Sequence, residues 1–161
     1  MAEFFKNGEL YRVAVQMERN GLSFYSQVAR QTRDEATKAV YEYLAASEKR
    51  HLRKFKALLS HTAKSSPPES YRGEYRNYLI ALLKDKVFPS SAVARSRASR
   101  SSARAALSTG IKAEKDSILF YSGLLDLIPA DERTAVEKIL AEEKRHLRRL
   151  TDYKYKSGCF N

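Results

Sequence analysis

Apolar side chains recur along this chain at helical spacing in four long runs. In the first run, Leu10, Val13, Ala14, Met17, Phe24, Tyr25 and Val28 fall three, four or seven positions apart, which predicts a helix over about residues 3–31 with Gly21 inside it. Thr32, Arg33 and Asp34 read as a short turn. A second run through Val40, Tyr43, Leu44, His51, Phe55, Leu58 and Leu59 stops at the Ser-Ser-Pro-Pro sequence of 65–68, the clearest helix terminator in the chain. The spacing then predicts a shorter helix over 70–86 closed by Phe88-Pro89, a Ser/Arg stretch, a long helix over about 101–128 ending at Pro129, and a last one over about 131–156. Short turns make helical hairpins of the first and last pairs. The expected architecture is therefore all-α: a four-helix bundle with one long crossover, residues 66–99, containing a short helix, the connectivity of ferritin-like bundles. A single domain over 1–161 follows, built of hairpins at 3–65 and 100–156.

The two hairpins repeat one another. The hexamer EKRHLR stands at 48–53 and again at 143–148, and VQMERNGLSFY at 15–25 aligns with IKAEKDSILFY at 111–121. Each hairpin thus carries a matching Glu on its first helix, Glu18 or Glu114, and a Glu-x-x-His on its second, Glu48/His51 or Glu143/His146. Residues i and i+3 of an α-helix project from one face, so each Glu/His pair can reach a single point. In an antiparallel hairpin, residues equally far from the turn lie at equal height. The midpoint of 18 and 48 is 33, inside the first turn, and that of 114 and 143 is 128.5, at the second. All six side chains are therefore expected in one layer, roughly 22 Å from either turn at about 1.5 Å per residue.

Four carboxylates and two imidazoles in an apolar interior destabilise a fold unless cations neutralise them. Two divalent ions do so, each taking one His, one terminal Glu and a share of two bridging Glu. Oxygen-rich ligation with imidazole and without thiolate suits iron or manganese, with zinc as a third candidate. The bland alternative is a solvated Glu/Lys/Arg/His face. Against it, both motifs are duplicated at matching height and lie on the apolar stripe beside Leu44, Phe55, Leu140 and Leu150.

In MERNGLSFY, SEKRHLRKF and EEKRHLRRL, over about residues 5–155, the chain resembles the rubrerythrin-like branch of the ferritin-like di-iron carboxylate proteins. The resemblance implies two iron ions held by Glu18, Glu48, His51, Glu114, Glu143 and His146, chemistry on dioxygen or hydrogen peroxide, and a homodimer. Two departures accompany it. Ser117 stands where rubrerythrins proper carry a further ligand Glu, and no Cys-x-x-Cys supplies a rubredoxin module, so an external electron donor is needed. Tyr25 and Tyr121, seven residues after Glu18 and Glu114, read either as hydrogen-bond partners of ligand carboxylates or as core aromatics with a polar tip.

Composition refines this little. The chain has a net charge of +11 and 30% charged residues. No apolar run reaches the ~18 residues of a membrane span, and a leader with an apolar core is not seen, so a cytoplasmic protein is expected. One cysteine, Cys159, excludes an intramolecular disulfide and reads as incidental, and His61, without a repeat counterpart, reads as exposed. Between Asp85 and Glu114 there is no acid, while Lys86, Arg95, Arg97, Arg100, Arg104 and Lys112 are basic. That segment suits either a solvated crossover or sequence-independent contact with nucleic acid. Three functions are therefore weighed: a di-iron oxidase or peroxidase, an iron-handling ferroxidase, and a nucleic-acid-associated protein with a structural metal site.

Overall fold

The structure, a computed structural model, describes residues 7–62 and 103–156. They form four α-helices: α1 (Asn7–Gln31), α2 (Glu35–Thr62), α3 (Ala103–Leu125) and α4 (Ala130–Lys156). The protein is an all-α four-helix bundle in which α1 packs along α2 and α3 along α4, and the hairpins meet through α1 against α3 and α2 against α4. The expected helix at 70–86, the Ser/Arg stretch as far as 102, and Cys159 lie outside the described residues.

The turns are set by local chemistry. Asp34 caps α2: its carboxylate accepts the Thr37 backbone N–H at 2.7 Å and the Thr37 hydroxyl. Those two hydrogen bonds hold the Asp34 carboxyl below its usual range. The second turn departs from the expected boundary, because α3 ends at Leu125 and not at 128. Asp126 and Leu127 donate instead to the carbonyls of Gly123 and Leu124, three residues back. This tightening tucks Leu127 and Ile128 into the core. It also takes Ile128 out of the helix, where a residue preceding proline is disfavoured. Pro129 then leads into α4, and its carbonyl accepts the Glu132 N–H at 3.1 Å.

Two apolar clusters fill the bundle, one towards each end. Leu10, Tyr11, Phe55, Phe120, Leu124 and Ile139 belong to the first, and Phe24, Val28, Tyr41, Leu44, Leu107 and Leu150 to the second. Side-chain hydroxyls fasten the ends: Tyr11 donates to Glu132, and Thr37 is hydrogen-bonded to Tyr153. Each fully buried large side chain contributes about 1.5–3 kcal/mol. The layer between the two clusters is polar, and that is where the repeated motifs lie.

Candidate metal centre

Within the hexamers, burial alternates with the helical period. Lys49, Arg50, Arg53, Lys144, Arg145 and Arg148 are exposed, whereas the Glu and His of each motif are buried. Glu18, Glu48, His51, Glu114, Glu143 and His146 expose between 0% and 5% of their surface, which excludes the solvated-face reading.

The six side chains converge. His51 Nδ1 lies 3.0 Å from Glu143, 3.5 Å from Glu18 and 3.9 Å from Glu48. His146 Nδ1 lies 3.0 Å from Glu143 and 3.6 Å from both Glu48 and Glu114. The two imidazole rings stack with centroids 5.7 Å apart. Ligand atoms of Glu18, Glu48, His51 and Glu143 fall within 4.8 Å of one another, and so do those of Glu48, Glu114, Glu143 and His146. The two groups share Glu48 and Glu143, the geometry of two neighbouring cation positions with two bridging carboxylates. Buried Glu18 Oε2, His51 Nδ1 and Glu143 Oε1 have no hydrogen-bond partner among the described residues. These orphaned atoms are what a cation between them would satisfy, so the donor set fits a pair of divalent ions.

Without cations the cluster must share protons. Burial pushes the Glu48 carboxyl well above the carboxylate range, and repulsion from Glu143 and Glu18 adds to it. Burial, then repulsion from Glu143, carries Glu114 up to about 8. Burial disfavours the charged form of His51, but the Glu143 and Glu18 carboxylates close to its ring outweigh that and raise it to about 11. His146 rises to about 9, its partners Glu114 and Glu143 likewise overcoming burial. Burial would raise Glu143, yet His146 and His51 together hold it below the usual range.

The tyrosines cross between hairpins. Tyr25 on α1 donates to Glu114 on α3, and Tyr121 on α3 donates to Glu18 on α1. Both are also fully buried core aromatics, so the two readings of their sequence positions hold together. Burial first, then the facing glutamate, pushes each phenol well above its ordinary value, so both remain donors. Gly110 allows the approach of Tyr25, whose hydroxyl lies 3.5 Å from the Gly110 carbonyl oxygen. A Cβ at Gly110 would meet Leu150 at 3.2 Å and Tyr25 at 3.4 Å. We expect Tyr121→Phe to free the outer oxygen of Glu18 and weaken metal binding about 10-fold at the position Glu18 serves. Titration calorimetry with Zn2+ checks this, and Tyr25→Phe should act instead on the Glu114 position.

One neighbour was not foreseen from sequence. Glu142 lies on the α2 side of α4, and its Oε2 accepts the Nε2 proton of His51 at 3.0 Å. Ser47 donates to the same oxygen at 3.1 Å, and Arg50 at 3.4 Å. Hydrogen bonding to His51 holds the Glu142 carboxyl low despite partial burial. Its signal in the sequence was the mismatch between SEKRHLR and EEKRHLR, two otherwise identical motifs. Ser117 is buried on α3 and brings no seventh ligand, and His61 is exposed near the end of α2.

A family model described as Rubrerythrin matches residues 9–154. No curated protein matches the sequence. Among solved structures, a Thermotoga maritima protein described as a ferritin-like diiron-carboxylate protein is similar at 25% identity and a TM-score of 0.72, over 98% of this chain and 99% of that one. A DUF305 fragment from Deinococcus radiodurans shares the fold at 12% identity and a TM-score of 0.70, over 97% of this chain and 99% of that one.

Proposed function

Because the chain belongs to the rubrerythrin family, we propose that it is a di-iron carboxylate oxidoreductase that delivers electrons from an external donor to dioxygen or hydrogen peroxide. The observation that carries this reading is the pair of four-residue groups sharing Glu48 and Glu143 in a buried layer. Glu18 and His51 would complete one iron position, and Glu114 and His146 the other. Held there, a ferrous pair would supply the two electrons of the reduction, one from each ion.

The chain's own residues prepare that chemistry. Glu48 and Glu143 give both positions a common anionic wall, which keeps two cations close together. Tyr25 and Tyr121 each fix one oxygen of a terminal carboxylate and leave the other facing the cavity. The apolar clusters on either side restrict bulk water and strengthen every charge interaction in the layer. The 161 residues hold a single cysteine, so no Cys-x-x-Cys among them relays electrons, and the reductant comes from elsewhere.

Protein loaded with Fe2+ under argon tests the proposal. Reduction of hydrogen peroxide to two water molecules takes two electrons and two protons, so one peroxide should be consumed per pair of ferrous ions. A near-ultraviolet ferric absorption should appear and then bleach on adding dithionite. Oxidation no faster than that of free Fe2+ would overturn the reading. Uptake of oxidised iron far beyond the pair would replace it with iron handling.

A further inference from the structure

The otherwise identical SEKRHLR and EEKRHLR motifs differ at their first position, which reaches the metal layer, and the difference makes the two halves of the site unequal. Position 142 on α4 is Glu, and its counterpart on α2, position 47, is Ser. His51 therefore has a carboxylate behind it: Nε2 is 3.0 Å from Glu142 Oε2. Glu142 is held in turn by Ser47, by Arg50 at 3.4 Å and by Arg145 at 3.9 Å. A carboxylate cannot donate, so the proton of this bond sits on His51 Nε2. That leaves Nδ1, which faces the cavity, to ligate once a cation displaces its proton, fixes the ring's rotation and raises electron density at the ligating nitrogen.

Among the described residues, His146 has no such support. Its Nε2 is buried and without a hydrogen-bond partner among the described residues. The ring of Tyr43 stands perpendicular to it with centroids 6.0 Å apart, and the Arg149 guanidinium lies 4.0 Å from the centre of that Tyr43 ring. Behind one histidine is an anion that accepts its proton; beyond the other are an aromatic ring and a cation.

We propose that the two cation positions are ranked by this difference: the one formed with Glu18 and His51 fills first and holds its ion more tightly, and Glu142 is the positioning residue responsible. The Glu114/His146 position fills second and exchanges its ion more readily. The inference rests on the two-metal reading and adds an order of occupancy to it. It follows from side chains only, since the ligand atoms themselves are matched between the halves: one terminal Glu, one His Nδ1 and the same two shared carboxylates.

The test is an anaerobic titration of the metal-free protein with Co2+, followed by calorimetry and by the visible absorption of the bound ion. Wild type should bind in two steps whose affinities differ by about 10-fold or more. Glu142→Ala should weaken the first step by about 10–100-fold and leave the second unchanged, closing the gap. Glu142→Gln keeps an acceptor for the imidazole proton without the charge and should restore part of the loss. A merely structural role for Glu142 would instead lower both affinities together with the thermal midpoint. His146→Ala should retain the tight step, and His51→Ala should lose it. Two equal steps in wild type, or equal weakening of both by Glu142→Ala, would overturn the ranking while leaving the two-metal site standing. Binding of no Co2+, or of a single ion in wild type, would overturn the two-metal reading itself.

Discussion

Removing metal should lower the thermal midpoint on the order of 15 °C, and the loss should widen as pH rises from 6.5 to 9. The first part follows from mass action. Each ion at 100 to 1,000 times its dissociation constant stabilises the fold by about 3–4 kcal/mol, and about 1 kcal/mol moves the midpoint of a domain this size by roughly 2–4 °C. The second part follows from which state of the metal-free chain holds the protons. His51 and His146 have folded pKa values of about 11 and about 9, above the ordinary 6.5. Their stabilising contribution is complete below 6.5 and is lost as pH rises through 9 and then 11. Glu114, raised from 4.5 to about 8, keeps a proton in the folded chain that the unfolded chain releases, so stability also falls between 4.5 and 8. Glu48 shifts in the same direction. Glu143 is the exception: its lowered pKa gives stability that is present above 4.5 and disappears only in acid. Cations displace the shared protons, so metal affinity rises over the same window in which the stripped protein weakens. Scanning calorimetry with and without chelator at pH 6.5, 7.5 and 9 checks both parts. A midpoint indifferent to chelator, or a stripped protein that gains stability towards pH 9, would contradict the account.

Glu48→Gln should have opposite effects on the empty and the filled protein. Glu48 belongs to both four-residue groups, so replacing its carboxylate with an amide removes an anionic bridge from both positions. Metal affinity should fall by ~100-fold or more at each, beyond the usual effect of a supporting residue. In the metal-free protein the same carboxyl is held well above its ordinary range by burial and by Glu143 and Glu18. An amide of the same shape carries no charge to bury, so the empty variant should be more stable than the empty wild type, with the difference greatest at pH 9. Glu114→Ala, by contrast, should cost chiefly one ion. Metal analysis after dialysis, paired with thermal scans of the stripped proteins, reads both effects. A Glu48→Gln variant that keeps its metal would count against the bridging role.

Much of this arrangement could be read from spacing alone. Helices α1 to α4 follow from apolar periodicity, and the common height of the motif residues follows from counting to the turns at Asp34 and Pro129. The end of α3 was less legible, because two hydrogen bonds of the three-residue kind replace the last helical turn before Pro129 without altering the hydrophobic pattern. Partners across the bundle were also hidden. Tyr25 and Glu18 lie two turns apart on α1, yet the Tyr25 hydroxyl serves Glu114 on α3, and the reciprocal bond joins Tyr121 to Glu18. Only the lateral packing of the hairpins settles that pairing. Glu142 escaped notice for a similar reason: beside Lys144, Arg145 and Arg148 it reads as one more member of a charged surface, and only the α2–α4 seam turns it towards His51. The exposed cations of the hexamers show the reverse case, in which repeated identity along a helix carries both a buried function and a solvated face.

The central claim is that the six acidic and imidazole side chains form one enclosure for a pair of cations. Native mass spectrometry of protein purified without added metal tests it most directly. The account predicts a mass increment of about two iron ions per chain, lost together in Glu48→Gln/Glu143→Gln. An unmetallated wild-type chain that stays metal-free when Fe2+ is supplied under argon, or a double variant with the wild-type increment, would contradict it.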